Sequence, residues 1–405
     1  MKVVIRKTYK SFCLILALAL LLTMSSCKSS KPIKNSQPWS VRMVESVMRR
    51  CPEPWMLDFR KQPTWEYTEG LALKAILQVW EATGDNRYFK YVNTYYDQFI
   101  DDDGNIKTYN LEEYNIDRIN PGKPLFRLYQ ETGNEKYKKA ILLLRKQMAT
   151  HPRGSEGGFW HKKIYPYQMW LDGIYMASPF LAEFARTFDE PALFDDVANQ
   201  IILMEKHARD EKTGLLYHGW DESRQQRWAN PETGLSQNFW GRAMGWYSMA
   251  LVDVLDFFPD DHPKRPDVIV ILHRLAAAIS KFQDAETGLW YQVVDKGGKE
   301  GNYLESSASG MFVYALAKAV KKGYIEAKFM AVAKKGYEGI LKHFIEVDDD
   351  GLVHIHKACA VAGLGGNPYR DGSYEYYINE TIRSNDPKAV GPFILASLEF
   401  ESLGK

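Results

Sequence analysis

Thr213-Gly214-Leu215-Leu216-Tyr217 and Thr287-Gly288-Leu289-Trp290-Tyr291 are two copies of one punctuation mark, a glycine-centred turn followed by aromatic or apolar residues. Looser copies are Asp102-Asp103-Gly104-Asn105-Ile106, Gly157-Gly158-Phe159-Trp160 and Asp350-Gly351-Leu352-Val353-His354. Gaps of about 50 to 75 residues leave room for two helices and their loops, the size of a helical-hairpin repeat. A second set of turns alternates with the first: Thr83-Gly84-Asp85, Thr132-Gly133-Asn134, Asp189-Glu190-Pro191, Pro259-Asp260-Asp261 and Lys322-Gly323-Tyr324. Each joins two helix-like stretches and reads as a hairpin tip.

The pattern predicts one charged, amphipathic helix set near residues 40–50, 86–100, 135–149, 192–208, 264–283 and 326–345, suited to an outer layer. The alternating set, near 65–82, 115–131, 169–187, 238–257, 304–321 and 388–402, is richer in small and apolar residues. Gly241-Arg242-Ala243-Met244-Gly245 is typical, and small residues of this kind let helix backbones approach closely. The expected fold is all-α, an (α/α)6 barrel with six helices inside and six outside. An open solenoid of hairpins has the same periodicity. The Gly-, Tyr- and Asn-rich segment from Ala360 to Glu380 is expected to form a sheet-like or looped flap covering the seam of a closed ring.

The N-terminus carries Lys2, Arg6, Lys7 and Lys10, an apolar run from Phe12 to Leu22, and small residues ending at Cys27, which together read as an export signal. Leu22-Thr23-Met24-Ser25-Ser26-Cys27 resembles a relaxed bacterial lipoprotein box, with Cys27 as the lipidated residue. The expected organisation is a signal peptide over 1–27, a linker over 28–38 and one catalytic domain over 39–405, anchored by lipid on the periplasmic side. Cys51 and Cys359, the other mature cysteines, offer one disulfide pair but no framework. A formal net charge of +1 gives no global field to gather nucleic acid, so an acidic ligand must be held locally. The oligomeric state is left open.

Long connections carry the candidate site. Gathered there are Asp117, His161, Lys162, Trp170, Asp172, His218, Trp240, Arg242 and Trp246. Asp172, following Met169-Trp170-Leu171 at a helix start, is either a partly desolvated acid or a helix cap. Arg242 and Trp246 share a helix face and can present a guanidinium and an indole together to a planar anion, or pack as a buried pair. His161 and His218 have no nearby companion ligand, which argues against zinc, and His354 and His356 read as hydrogen-bonding side chains. The Asp101–Asp103 and Asp348–Asp350 runs read as solvated turns rather than calcium loops. There is no phosphate-binding glycine loop and no serine elbow, and no metal or cofactor is expected.

Five blocks in order give the sequence a likeness: Trp65-Glu66-Tyr67 with Gly70-Leu71; Asn115-Ile116-Asp117-Arg118-Ile119-Asn120; Gln168-Met169-Trp170-Leu171-Asp172-Gly173; Phe239-Trp240-Gly241-Arg242-Ala243-Met244-Gly245-Trp246; and Val361-Ala362-Gly363-Leu364-Gly365-Gly366 through Tyr369-Arg370-Asp371-Gly372-Ser373-Tyr374-Glu375-Tyr376-Tyr377. In these the chain resembles family 105 glycoside hydrolases, the unsaturated rhamnogalacturonyl hydrolases, over nearly its whole mature length. The resemblance implies an (α/α)6 barrel without metal. The implied substrate is an acidic oligosaccharide ending in the 4,5-unsaturated galacturonate that a polysaccharide lyase leaves. It also implies Asp172 as general acid/base, Asp117 as second carboxyl, and a substrate pocket from His161, Lys162, Trp170, His218, Trp240, Arg242 and Trp246. A nearby Asp117 is expected to raise the Asp172 pKa by like-charge repulsion. Three rival readings are an unsaturated glucuronyl hydrolase similar to family 88, acting on glycosaminoglycan fragments, a non-catalytic glycan-binding lipoprotein, and a helical polysaccharide lyase.

Overall fold

The computed structural model describes residues 33–34 and 36–401. The leader, including Cys27, lies outside the described residues. Six helices form an outer layer: α1 (Trp39–Arg50), α3 (Asn86–Phe99), α5 (Glu135–Ala149), α7 (Ala192–Ala208), α9 (Arg265–Lys281) and α11 (Phe329–His343). Six form the inner ring: α2 (Tyr67–Thr83), α4 (Lys123–Thr132), α6 (Leu171–Thr187), α8 (Gly241–Val254), α10 (Ser306–Lys321) and α13 (Pro387–Phe400). A short α12 (Tyr374–Asn379) precedes the last of them.

The two layers differ in burial as their sequences require. Every residue of α8 is buried, whereas α3 buries only one apolar stripe, Tyr88, Tyr91, Val92, Tyr95, Tyr96 and Phe99. Around the axis α2 packs on α4, α4 on α6, α6 on α8, α8 on α10, α10 on α13 and α13 back on α2. That last contact closes the ring and excludes the open solenoid.

Close approach depends on missing side chains. A Cβ on Gly391 of α13 would lie 2.8 Å from Leu71 Cγ on α2, and one on Gly70 would lie 2.5 Å from Pro121 Cα. Since α13 seals the seam itself, the flap is free to do something else. Its base is a two-residue ladder between Ala358–Cys359 and Ile382–Arg383, and from there the segment leans over one rim of the crater instead of covering the seam.

The repeat turns are built alike. Gly104, Gly214, Gly288 and Gly351 all have φ between 76° and 80°, and each glycine N–H donates to the carbonyl of an aspartate three or four residues earlier. Those aspartates, Asp101, Asp210, Asp284 and Asp348, accept backbone N–H groups of their own turns. Asn230 and Gly234 make a further copy that the sequence reading did not separate out. The acidic runs are therefore self-capped turns. His354 and His356 also bond locally, to Asp348 and Asn385 and to Glu346 and Ser384. Cys51 and Cys359, the one pair that could bridge, are free thiols.

Gly70→Ala is a direct test of the close contact. Helix propensity alone would add about 1 kcal/mol, but forcing a methyl against the Pro121 backbone costs about 1–3 kcal/mol. A net loss of stability is expected in urea unfolding. An unchanged or raised midpoint would contradict the packing account.

Candidate active site

All six inner helices begin near one end of the ring, where the long connections make a crater. One strip of backbone hydrogen bonds stitches three of these connections together. Ile116 N donates to His161 O (3.3 Å), His161 N donates to Gln168 O (2.7 Å), and Leu171 N donates to His218 O (3.1 Å). Between them lies an antiparallel ladder of β1 (Gln168–Trp170) and β2 (Gly219–Asp221), in register Trp170↔Gly219. A strand that runs straight into α6 fixes the first turn of that helix, and Asp172 with it.

Asp117 sits in a 3-10 turn, Ile116–Gly122, whose start is held by Asn115 Oδ1 accepting from Asp117 N. Its Oδ2 is 2.7 Å from Lys162 Nζ and its Oδ1 is 3.4 Å from His161 Nε2. Burial alone would raise the Asp117 carboxyl, but the Lys162 ammonium, His161 and the Lys162 hydrogen bond hold it below the ordinary carboxylate range. Burial would likewise lower Lys162, but Asp117 carries it upward. His161 is pushed down to about 4 by burial, against the pull of Asp117, and is a neutral imidazole at neutral pH.

Asp172 occupies the other half. Its side chain is 13% exposed, and its Oδ2 lies 3.2 Å from Nε2 of the fully buried His218. Aromatic rings surround the pair. Trp170 stacks on His161 at 4.3 Å and on Tyr165 at 5.1 Å, and meets His218 edge-on at 5.5 Å. Trp240 lies 4.7 Å from His218, and its Nε1 donates to Gln292 Oε1.

The structure thus brings Asp117, His161, Lys162, Trp170, Asp172, His218 and Trp240 into one wall. Arg242 reaches this wall only from behind. Its guanidinium stacks 4.8 Å from the Trp240 ring, donates to the Cys359 carbonyl and Ser307 Oγ, and is 1% exposed. Trp246 lies one helical turn deeper, against Tyr175 (4.9 Å) and Tyr67 (6.2 Å). The expected pairing of Arg242 with Trp246 does not form. Spacing put them on one face, but the first turn of α8 aims Arg242 at the strand beneath the flap.

Several neighbours escaped the sequence reading. The flap supplies Tyr377, whose hydroxyl is 2.7 Å from His218 Nδ1, and Leu364, which packs with Trp170 and Trp228. Arg370 donates to Tyr165 Oη and two flap carbonyls. The tail block was visible as a motif, but no local signal tied Tyr377 to a histidine 159 residues away.

Comparison with known proteins agrees with this arrangement. The model of Glycosyl Hydrolase Family 88 matches residues 39–403. A solved Clostridium structure, from C. acetobutylicum and described as a glycoside hydrolase from family 105, is 48% identical, covers 90% of this chain and 99% of its own, and superposes with a TM-score of 0.87. The 24.9 kDa protein in picA locus of Rhizobium radiobacter is 41% identical over 230 residues, 55% of this chain and 97% of that protein. The unsaturated rhamnogalacturonyl hydrolase YesR of Bacillus subtilis is 27% identical over 339 residues, 82% of this chain and 89% of that protein. With the closed double ring and the carboxyl-bearing crater described above, these matches establish that the chain belongs to the unsaturated glycuronyl hydrolases of glycoside hydrolase families 88 and 105.

Proposed function

We propose that this hydrolase releases 4,5-unsaturated galacturonate from the non-reducing end of rhamnogalacturonan oligosaccharides, with Asp172 as its single general acid/base. The observation that carries the reading is the unequal environment of the two carboxyl groups. Asp117 is committed as an anion by Lys162 at 2.7 Å, whereas among the described residues the ion-pair partner of Asp172 is His218, at 3.2 Å, and its side chain is 13% exposed.

Two-carboxylate glycosidases need an acid plus a base or nucleophile. Hydration of an enol ether needs one group that gives a proton and takes one back. In the unsaturated uronate the C4=C5 double bond bears the ring oxygen, so C4 is electron-rich. Asp172 protonates C4, and positive charge develops on C5 and the ring oxygen. Water adds to C5 while the Asp172 carboxylate takes its proton. The resulting hemiketal opens to a C5 ketone, and the hemiacetal thereby formed at C1 expels the remaining sugar chain. Asp117 and Lys162 are available to bond sugar hydroxyls, and the Trp170 and Trp240 rings suit stacking on the sugar face.

The galacturonate–rhamnose linkage is inferred from the YesR likeness and the motif blocks. We further propose that the chain is exported and lipid-anchored at Cys27 on the periplasmic side. A Cys27→Ser chain should then leave the membrane fraction for the soluble one, and unchanged partitioning would refute the anchor.

Wild type should abolish the ultraviolet absorbance of the conjugated alkene, faster on an unsaturated galacturonyl-rhamnose disaccharide than on a glucuronyl-hexosamine one. The opposite preference would reassign the substrate. Asp172→Asn should fold normally and lose about 10²–10⁴-fold in kcat. Near-normal turnover would remove Asp172 from the chemistry.

The neutral His161 gives a pH prediction with a definite sign. Its folded value of about 4 lies below the unfolded value of about 6.5, so its contribution is complete above pH 6.5. As pH falls from about 6.5 to 4, up to about 3 kcal/mol is lost. Buried His151, also at about 4, adds in the same direction. Urea unfolding across this window should show a shallower decline for His161→Gln than for wild type, and identical slopes would contradict the assignment.

A further inference from the structure

We infer that Tyr377, carried by the flap, is a positioning residue that fixes the tautomer of His218 and thereby decides which oxygen of Asp172 delivers the proton. The inference rests on the role proposed for Asp172, but its structural core can be tested without substrate.

Tyr377 is fully buried, and the hydrogen-bond partner of its hydroxyl is His218 Nδ1 at 2.7 Å. Burial raises the phenol far above its ordinary value, so the hydroxyl keeps its proton. Two arrangements are open to the pair. If Nδ1 carried the ring proton, the phenolic hydrogen would be left in the core without an acceptor, a state that native interiors rarely tolerate. If the phenol donates to Nδ1, its hydrogen has an acceptor, and the ring hydrogen is left on the side that faces Asp172. The ring proton then resides on Nε2.

Nε2 is the atom that faces Asp172 Oδ2 at 3.2 Å. Both atoms are buried, and neither completes a hydrogen bond, with the other or with any further group. They complement one another as donor and acceptor, and such bonds commonly tighten when substrate arrives. Once that bond closes, Oδ2 is occupied as an acceptor. The exposure of the carboxyl group belongs to its other edge, so Oδ1 carries the acid proton into the crater.

The tyrosine is itself held from two sides. Gln292 Nε2 donates to its carbonyl at 3.0 Å, and its ring stacks on Trp240 at 5.8 Å with planes 22° apart. Gln292 also accepts from Trp240 Nε1, so the flap, the indole and the histidine form one connected unit. Leaning over the crater, the flap contributes to proton delivery as well as to shape.

The test is nitrogen-15 NMR of histidine-labelled protein, with the His218 signals identified by their loss in His218→Gln. Wild type should show Nδ1 with the shift of an unprotonated acceptor and Nε2 with that of an N–H. Tyr377→Phe should lose that bias, and kcat should fall about 10-fold with KM within about 2-fold of wild type, the effect of one hydrogen bond acting on the chemical step. A wild-type signal with the proton on Nδ1 would overturn the inference, as would a Tyr377→Phe chain that keeps both the tautomer and kcat. If the tautomer is as expected but no unsaturated uronide is hydrolysed, the proposed function falls instead. Thermal unfolding of Tyr377→Phe separates misfolding from either result, and the wild-type spectrum alone decides the tautomer.

Discussion

The site depends first on the ladder that lets β1 run without a break into α6. Because Trp170 pairs with Gly219 and Leu171 N bonds to His218 O, the strand, the first helical turn and the histidine opposite it form one rigid body. Loops alone would leave a carboxyl and an imidazole free to drift, and a misplacement of about 1 Å is enough to cost a catalytic group most of its effect. A glycine is required at position 219 because a Cβ there would lie 2.7 Å from Leu364 and 3.0 Å from Trp170. Backbone pairing and side-chain packing thus meet at one residue, and the flap is drawn against the same point.

Ring closure matters for a related reason. The inner helices present their N-terminal ends to the crater, and each long connection begins or ends at one of them. Had the hairpins stacked as an open solenoid, the α2 and α13 ends would stand apart. With Gly391 against Leu71 and Gly70 against Pro121, the turn that bears Asp117 is instead clamped between α2 and α6. The fold therefore sets the separation of the two carboxyl-bearing elements through close packing far from either carboxyl.

Features encoded locally were legible in the sequence. Helix positions, their sorting into inner and outer layers, and the glycine turns follow from periodicity and turn chemistry over short windows; the largest departure is the helix expected over 115–131, which is a 3-10 turn over Ile116–Gly122 and an α-helix only from Lys123. The grouping of Asp117, His161, Lys162, Trp170, Asp172, His218 and Trp240 followed from their shared place in the long connections and from the family likeness. Long-range direction was not legible. Arg242 and Trp246 share a face by arithmetic, yet the burial of α8 on all sides means that a shared face says nothing about which neighbour each side chain meets. The flap was misassigned to the seam because nothing local in Ala360–Glu380 says where it leans, and Tyr377 was missed for the same reason.

In the proposed mechanism the placement of Lys162 decides how the two carboxyl groups divide the work. A buried carboxylate is costly without a partner, and an ammonium at 2.7 Å offsets that cost by fixing the anion. A group so fixed is a poor proton donor. Had the lysine faced Asp172, the crater would hold a stable anion where the proposed reaction needs a proton. The chain instead sets its cation against Asp117, and against Asp172 a histidine hydrogen-bonded to Tyr377. In the proposed mechanism Asp172 is an acid and then a base within one turnover, and His218, fixed among Trp170, Trp240 and Tyr377, keeps that carboxyl in one place through both states.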